Sequence, residues 1–468
     1  MNCLSSQRLH TAPILILKLI LILPKIWSSR GMSIVKSLSS FAGIGVTSIL
    51  PCGHVFLEVC DIRNPDDVDK DNLLSFYVGT KRGKMKKITM STKRKAHDDD
   101  DDDDDVHIEC IEQMEEGGGS KRKTPYPIFS LMTLPIHHHN HHVLSGSGDR
   151  YITIWEQDKQ KHPNDGVSWR IKAKLGPHTG WVKDLASSLP NPNRNDQENE
   201  ERFIFSIGCN CIEVWRTING ESYDHVHKLM IDSSVEMGST LSSDILCLAT
   251  SPSYKCNTLH TSEQEKQQDH HSYYLLAGGV DGRIHQWTIC NNSFPDAKVV
   301  YAPGHDGRVN ALLVCNDLRA AVSIGNDGLV KCWKLDCNES FSSVCSINVN
   351  DEFHSVQDTN TQEAKTQEVS KIKLTCSCIL FEQQDCAIIG IGTACGKVLL
   401  AGIYRDEKSD DVMSIGLLDE RTTVESSSSN SSGGCNIHSI ASQNNHIIIG
   451  HSKGISIWEP DLIHTKHK

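Results

Sequence analysis

One short pattern recurs along the chain and limits the folds that it can adopt. An apolar run enters a turn rich in Gly and Asp, an alternating apolar run leaves it, and a Trp stands six residues after the turn Asp. Three copies keep this spacing, at residues 145–155, 277–287 and 323–333. Each copy predicts two antiparallel strands joined by a tight turn. A hairpin that recurs in this way favours a repeat fold over a set of unrelated domains.

Four weaker copies bring the number of units to seven. Residues 206–215 carry Cys209 at the position of the Asp, and residues 450–458 are one residue shorter. Residues 79–88 and 392–401 retain the turn Gly but lack the Trp. An apolar run that predicts a first strand precedes each copy, beginning near Val46, Ile128, Val182, Ile245, Val309, Leu374 and Ile437. With a fourth strand after the hairpin, seven units of four strands predict a β-propeller.

These units resemble the repeats of the WD40 family, and the resemblance extends over roughly residues 33–461. In that family a His, a Ser or Thr, the turn Asp and the Trp form a hydrogen-bonded set. The resemblance implies one full set and three partial ones: His305, Ser323, Asp327 and Trp333; His178, Ser206 and Trp215; Ser145, Asp149 and Trp155; and Asp281 and Trp287. Buried indole, imidazole and carboxylate groups need such partners to offset their lost hydration, which favours a structural role.

The predicted fold is therefore all-β, a seven-bladed WD40-type β-propeller with four-stranded antiparallel blades. The seventh unit ends at Trp458 and leaves too few residues for a fourth strand. The closure usual in the family implies that an N-terminal strand at residues 33–38 completes this last blade. An open ring would expose sheet edges and a broken core. We expect the propeller to occupy residues 32–461, followed by a short tail at 462–468.

Residues 1–31 form an apolar extension with two open interpretations. The apolar stretch at residues 13–24 is interrupted by Lys18, and it is shorter than the roughly 20 residues that a membrane-spanning helix needs. It is compatible with a targeting segment, or with a true translation start at Met32 rather than Met1. We favour an intracellular protein, in the cytoplasm, the nucleus or both, over secretion or organellar targeting by residues 1–31.

Polar, low-complexity segments interrupt the predicted blades. We expect five of them to be disordered, at residues 91–105, 190–201, 251–272, 351–370 and 420–434. Insertions at residues 51–72 and 135–142 are expected between first and second strands. The formal net charge is −12, and eight consecutive Asp residues at 98–105 supply most of it. The remainder is nearly balanced, so the overall charge does not indicate a nucleic-acid-binding face.

The Cys and His residues raise the question of a metal site. The chain has 18 Cys but no CxxC pair, and its two CxC pairs have a poor spacing for zinc. We expect reduced thiols that pack as small apolar side chains. A His cluster at 137, 138, 139, 141 and 142 could bind zinc, copper or nickel, but a solvated hairpin loop is the favoured interpretation. We therefore predict no metal and no cofactor.

The sequence contains no recognised catalytic constellation. A Gly-rich phosphate loop, a nucleophile elbow and an HExxH motif are all missing. Although Ser323, His305 and Asp327 could be mistaken for catalytic residues, their repeat positions favour a structural role. We predict a non-catalytic scaffold for protein or peptide partners, acting as a monomeric propeller within a complex. The alternatives are a propeller hydrolase with a site at the central channel and a nuclear, nucleic-acid-associated assembly factor.

Two further features bear on partners. Trp181 and Arg308 stand three residues after His178 and His305, and the resemblance implies that this position lies near the face around the central channel, where partners often dock. Trp181 is either an interface anchor or a side chain that packs over its own blade. Basic triplets at residues 93–95 and 121–123 would suit a bipartite nuclear address.

Overall fold

The structure is a computed structural model. It describes residues 33–37, 55–59, 73–80, 83, 85–91, 106–111, 126–136, 140–158, 168–188, 201–231, 244–252, 254–255, 271–290, 293–335, 342–351, 371–406, 409–422, 436–443, 446–452 and 454–459. Apart from one helical turn at residues 349–351, the regular structure in these ranges is β. Within the same ranges no helix is long and apolar enough to cross a membrane.

The described strands form seven antiparallel sheets. The first strand, β1 (Ser33–Ser37), belongs to the last of them. Sheet 1 contains β2 (Val55–Val59), β3 (Leu73–Thr80), β4 (Met85–Ser91) and β5 (Val106–Ile111). Sheet 2 contains β6 (Ile128–Ile136), β7 (Asn140–Ser147), β8 (Ile152–Asp158) and β9 (Ser168–Leu175). Sheet 3 contains β10 (Val182–Ser187), β11 (Glu201–Gly208), β12 (Cys211–Ile218) and β13 (Ser222–Met230).

The remaining sheets follow the same order along the chain. Sheet 4 contains β14 (Ile245–Thr250), the short extra strand β15 (Tyr254–Lys255), β16 (His271–Gly279), β17 (Arg283–Cys290) and β18 (Ser293–Pro303). Sheet 5 contains β19 (Val309–Cys315), β20 (Ala320–Gly325), β21 (Leu329–Lys334) and β22 (Ser343–Asn348). Sheet 6 contains β23 (Leu374–Gln383), β24 (Cys386–Thr393), β25 (Lys397–Asp406) and β26 (Ser409–Thr422). Sheet 7 contains β27 (Ile437–Gln443), β28 (His446–His451), β29 (Gly454–Glu459) and β1.

The sheets pack face to face, with their first strands innermost. The first strands of consecutive sheets contact each other, as β6 contacts β10 and β10 contacts β14. Buried side chains from neighbouring sheets share one cluster, as Leu144 of sheet 2 and Leu185 of sheet 3 do. Sheets 4 and 5 share a cluster around Trp333 in the same way. Each strand alternates its side chains between the two faces, so both faces of a sheet can be covered. This is an all-β propeller with four-stranded antiparallel blades, and these parts of the prediction are confirmed.

The turn between the second and third strands explains why the sequence pattern repeats. In sheets 4 and 5 the turn Asp is followed by Gly282 and Gly328, both with φ of 80°. In sheet 2 the same position holds Arg150, with φ of 73°. Only Gly adopts this left-handed region without a steric penalty, and the penalty for other residues is about 1–2 kcal/mol. The geometry of the turn thus selects Asp-Gly in two of these three copies.

Sheet 1 begins later than its sequence suggests. The first strand expected near Val46 lies outside the described residues, and β2 occupies Val55–Val59, within the insertion expected at residues 51–72. That expectation was wrong, because the short β run Val-Phe-Leu-Glu-Val pairs directly with β3.

Several predicted loops are also shorter than expected. The described strands β15 and β16 extend into the segment 251–272, and β26 extends to Thr422 within the segment 420–434. Single residues at the edges of the other segments are also structured, namely Ser91, Glu201 and Asp351. The apolar extension at residues 1–31, the acidic run, both basic triplets and the tail at 462–468 lie outside the described residues.

Candidate functional site

Sheet 5 contains a connected chain of buried polar side chains. His305 precedes β19, and its Nδ1 donates to the Asp327 carboxylate, with 3.0 Å to Oδ1. On the other side of the ring, His305 Nε2 lies 2.7 Å from Ser323 Oγ. Trp333 Nε1 donates to the same hydroxyl oxygen at 2.9 Å. The four side chains expected to form a set are therefore in hydrogen-bonding contact.

This chain of contacts also fixes the loop in front of β19. Burial raises the pKa of Asp327, but the hydrogen bond and charge of His305 and two backbone amides outweigh it, so that the net pKa is lowered. One of those amides belongs to Asp306, 2.9 Å from Asp327 Oδ2. Arg308 follows two residues later with an exposed side chain. The buried set thus anchors a loop that presents Arg308 to solvent.

Sheet 3 builds a similar support without the Asp. His178 Nε2 lies 2.7 Å from Ser206 Oγ, and Trp215 Nε1 donates to this oxygen at 3.0 Å. Where a carboxylate would stand, the main-chain carbonyl of Arg150 accepts from His178 Nδ1 at 3.0 Å. Burial is the main reason why the pKa of His178 is lowered. Sheet 2 therefore supplies, from its own turn, the acceptor that sheet 3 lacks.

In sheets 2 and 4, the side chains of the predicted sets do not all contact one another. In sheet 2, Trp155 Nε1 donates to Ser145 Oγ at 3.0 Å, whereas Asp149 Oδ1 accepts from the amide of Tyr151 at 3.0 Å. In sheet 4, Asp281 Oδ1 accepts from the amide of Arg283 at 3.1 Å. Position 277 is Ala, so Trp287 has no hydroxyl there to bond. In these two sheets the turn Asp stabilises the local backbone, as Asp and Asn side chains do in many turns.

Trp181 lies on the surface above this framework. The His178 loop is fixed next to it, because Thr179 Oγ1 donates to the Gly208 carbonyl at 2.6 Å. The Trp181 side chain remains 55% exposed. Its ring is stacked on Phe129 of sheet 2, with 5.3 Å between ring centroids and 18° between planes. It therefore packs against the neighbouring sheet while offering its other face to solvent. We call Phe129 and Trp181 the aromatic platform.

Phe129 was not identified from the sequence. It is the second residue of β6, and the register of β6 against β7 is irregular beside it, between Ile128 and Ser130. Tyr126, three residues earlier, is 53% exposed at the same end of the sheet. The Tyr-Pro-Ile-Phe sequence at the start of this strand marks two aromatic residues close together. No local pattern indicates that Phe129 contacts Trp181, 52 positions later.

Charged groups on the inner strands are paired or hydrogen-bonded. Lys183 Nζ lies 3.4 Å from Asp244 Oδ2 and thus links sheets 3 and 4. Asp184 accepts from the amides of Leu185 at 2.9 Å and Leu248 at 2.8 Å. Burial raises the pKa of Asp184 to about 7, against the effect of these two amides. Both carboxylate oxygens of Asp184 accept hydrogen bonds from backbone amides, so this side chain links β10 to β14.

The described part of the His cluster lies in a strand rather than in a loop. His141 and His142 are in β7 and point to opposite faces of sheet 2. His141 Nε2 is 2.7 Å from the Tyr77 hydroxyl of sheet 1, and His142 Nδ1 is 2.5 Å from the Tyr223 hydroxyl of sheet 3. Burial is the largest cause that lowers each pKa to about 4. The prediction of a solvated loop was wrong for these two residues, because pairing with β6 continues to the hairpin at Ile136 and Asn140.

A metal-binding site can be assessed only among the described residues. His137, His138 and His139 lie outside them. Within the described ranges, no group of three His, Cys, Asp or Glu side chains is placed to hold a metal ion. The described Cys residues are free thiols, and most of those in strands are buried or half-buried.

Comparison with known proteins identifies the architecture. A solved structure described as the crystal structure of RRP9 WD40 repeats is 13% identical, with a TM-score of 0.52 over 93% of this chain and 98% of that chain. A second, described as the structure of U3-55K, is 14% identical over 87% of this chain and 95% of that chain, with a TM-score of 0.49. No family model matches the sequence, and no curated protein matches it closely enough to be a relative. The first of these likenesses, together with the stacked sheets, gives this chain the fold of the WD40-repeat β-propellers.

Proposed function

We propose that this chain is a non-catalytic scaffold that binds protein or peptide partners within an intracellular complex. The observation that carries the proposal is the aromatic platform, where Trp181 is held on Phe129 with 55% of its side chain in solvent. A large aromatic side chain that is fixed in place loses little conformational entropy on binding, and such residues are enriched among interface hot spots. The free thiols of the described Cys residues support an intracellular location.

The proposal includes a ring of seven blades closed by the N-terminal strand. Its support is the pairing of β1 with β29, in which Ser33 lies opposite Glu459. The Ser75 amide of sheet 1 also donates to Gln443 Oε1 of sheet 7 at 3.1 Å. In such a ring β1 covers the edge of β29, and the faces of sheets 1 and 7 that an open arc would leave exposed are packed against each other.

We propose that partners bind on the side of the propeller that carries Trp181 and Arg308, and we call it the docking side. Both residues lie in loops that lead into a first strand, and both loops are anchored by a buried His, at 178 and 305. Because the two loops enter their sheets at equivalent positions, Trp181 and Arg308 belong to the same side of the propeller. A stacked aromatic and an exposed guanidinium suit a peptide or protein surface that has both apolar and acidic groups.

Paired variants test the docking side. Trp181→Ala removes the platform, whereas Ile218→Ala removes another exposed apolar side chain, 41% exposed, at the opposite end of sheet 3. Affinity purification with quantitative mass spectrometry from native extract should show the same defined proteins with wild type and Ile218→Ala. Their recovery should fall about tenfold or more with Trp181→Ala, which corresponds to a loss of about 1.4 kcal/mol or more. Equal recovery with both variants would contradict the proposed side, and an empty set with wild type would contradict a scaffold.

The burial of Ser323, His305 and Asp327 supports a structural rather than a catalytic role for this set. The Ser323 side chain is fully buried and its hydroxyl already contacts Trp333 and His305, so a substrate could not reach it without opening the sheet. The nucleic-acid alternative is tested by the salt dependence of any binding to RNA or DNA, because phosphate contacts weaken steeply as salt increases.

A further inference from the structure

Sheet 5 brings two Cys residues directly opposite each other. Cys332 lies in β21 and Cys345 in β22, and the antiparallel register pairs these two positions. Opposed residues project to the same face of a sheet. Cys332 is fully buried, and Cys345 is half-buried on the outermost strand. The pair therefore has one protected thiol and one that a small reagent can reach.

The separation of the strands suits a covalent link. In an antiparallel pair, opposed Cα atoms are about 4.5–5.5 Å apart. A disulfide spans Cα separations of about 4.4–6.8 Å, so the backbone need not change its register to accommodate one. Cys315 packs in the same cluster as Cys332, but the register places it opposite Ala320. Among the Cys residues of the described strands, the favourable register is thus specific to Cys332 and Cys345.

The two thiols also differ in reactivity. A hydrogen bond with the Cys332 thiol lowers the pKa of Cys345, and this effect outweighs that of burial. The pKa of Cys332 is raised by the same contact and by burial. Because the thiolate is the form that reacts with oxidants, Cys345 is the first to react and Cys332 is the resolving thiol.

We propose that Cys332 and Cys345 form a thiol modification site that a hydroperoxide converts to a cross-strand disulfide within sheet 5. In the first step the Cys345 thiolate attacks the peroxide oxygen, the O–O bond breaks, and a sulfenic acid and hydroxide form. In the second step the Cys332 sulfur displaces the sulfenic oxygen, and its proton leaves with that oxygen as water. Overall, two thiols are oxidised by two electrons, and one molecule of hydrogen peroxide is reduced to two of water.

The link would fasten the outer strand of sheet 5. Strand β22 pairs with β21 on one side and contacts β26 of sheet 6 on its face. A covalent bond to β21 limits the separation of β22 in the unfolded and partly opened states, which is how disulfides generally stabilise proteins. Oxidation would therefore fix this edge of the propeller, and reduction would release it.

The test uses the full-length protein, first reduced and then treated with hydrogen peroxide under native conditions. After free thiols are blocked with iodoacetamide, peptide mass spectrometry should show a link between Cys332 and Cys345 in most molecules. The urea midpoint of the treated protein should shift upwards, and a dithiol reductant should reverse the shift. Cys345→Ser should abolish both the link and the shift.

The sequence offers matched controls. Cys337→Ser removes a Cys that lies between the two positions and should leave the link intact. Cys290 and Cys395 are exposed, and their oxidation reports that the reagent has acted. If Cys290 or Cys395 is oxidised while Cys332 and Cys345 both remain free, the proposal is overturned. A link from Cys332 to Cys337 in the native protein would overturn it as well.

Discussion

Acidification should weaken the contact between sheets 2 and 3 through His142. The side chain of His142 is buried, and its Nδ1 lies 2.5 Å from the Tyr223 hydroxyl. Burial, and then the charge of Lys172, lower the pKa of His142 from 6.5 to about 4, although Glu156 opposes the shift. A His with a depressed pKa in the folded state binds protons more readily when the chain is unfolded. The stability that it contributes is present above pH 6.5 and is lost as the pH falls towards 4.

The size of this effect follows from the two pKa values of His142. At pH 5, about 97% of the imidazole is protonated in the unfolded chain and about 9% in the folded protein. Between pH 7.5 and pH 5 this linkage lowers the free energy of unfolding by roughly 2 kcal/mol. Lowering the pH further, to below 4, would raise the loss of unfolding free energy to roughly 3 kcal/mol.

Urea unfolding at pH 7.5 and pH 5, followed by Trp fluorescence, measures this difference for wild type and for His142→Gln. Gln does not titrate, so the variant should start less stable at pH 7.5 but lose roughly 2 kcal/mol less than wild type on acidification. Tyr223→Phe is the matched control, because it removes the same contact and keeps the imidazole. It should retain the wild-type dependence on pH. If His142→Gln loses as much stability as wild type between the two pH values, the reasoning is refuted.

Three further substitutions, with Gly416→Ala as a control for one of them, test the framework under the docking side by thermal or urea unfolding. Ser323→Ala removes the buried hydroxyl that contacts both the Trp333 indole N–H and His305 Nε2 and should cost about 2–4 kcal/mol; a loss below about 0.5 kcal/mol would contradict this role. Gly282→Ala should cost at least about 2 kcal/mol, because φ is +80° and a Cβ would lie 2.1 Å from a carbonyl oxygen. Gly416→Ala, where a Cβ meets nothing within 4 Å, should change stability much less, and equal costs would refute the turn argument. Cys209→Asp should not raise the free energy of unfolding, since the carbonyl of Arg150 already accepts from the His178 imidazole. An increase of about 1 kcal/mol would show that this carbonyl is a poor substitute for a carboxylate.

The hairpins and their turns were predictable from the sequence. The spacing of six residues between Asp and Trp located the turn between β16 and β17 and the turn between β20 and β21, because the turn chemistry and the alternation of strands are local properties. Where the local pattern was weak, the prediction failed. The first strand of sheet 1 was expected near Val46, whereas the described strand is Val55–Val59. One short apolar run cannot be distinguished from another without knowing which one pairs with β3.

The sequence by itself determined that this chain repeats β-hairpins with a Trp at a fixed distance from the turn, and it indicated which side chains would be buried together in sheet 5. The tertiary structure alone decided the contacts between sheets. It placed a carbonyl of sheet 2 beside His178, stacked Trp181 on Phe129 and set His141 and His142 against Tyr residues of different sheets. The physical reason is that a turn depends on residues a few positions apart, whereas these contacts join residues 28 to 81 positions apart. Such contacts exist only after the sheets have packed face to face.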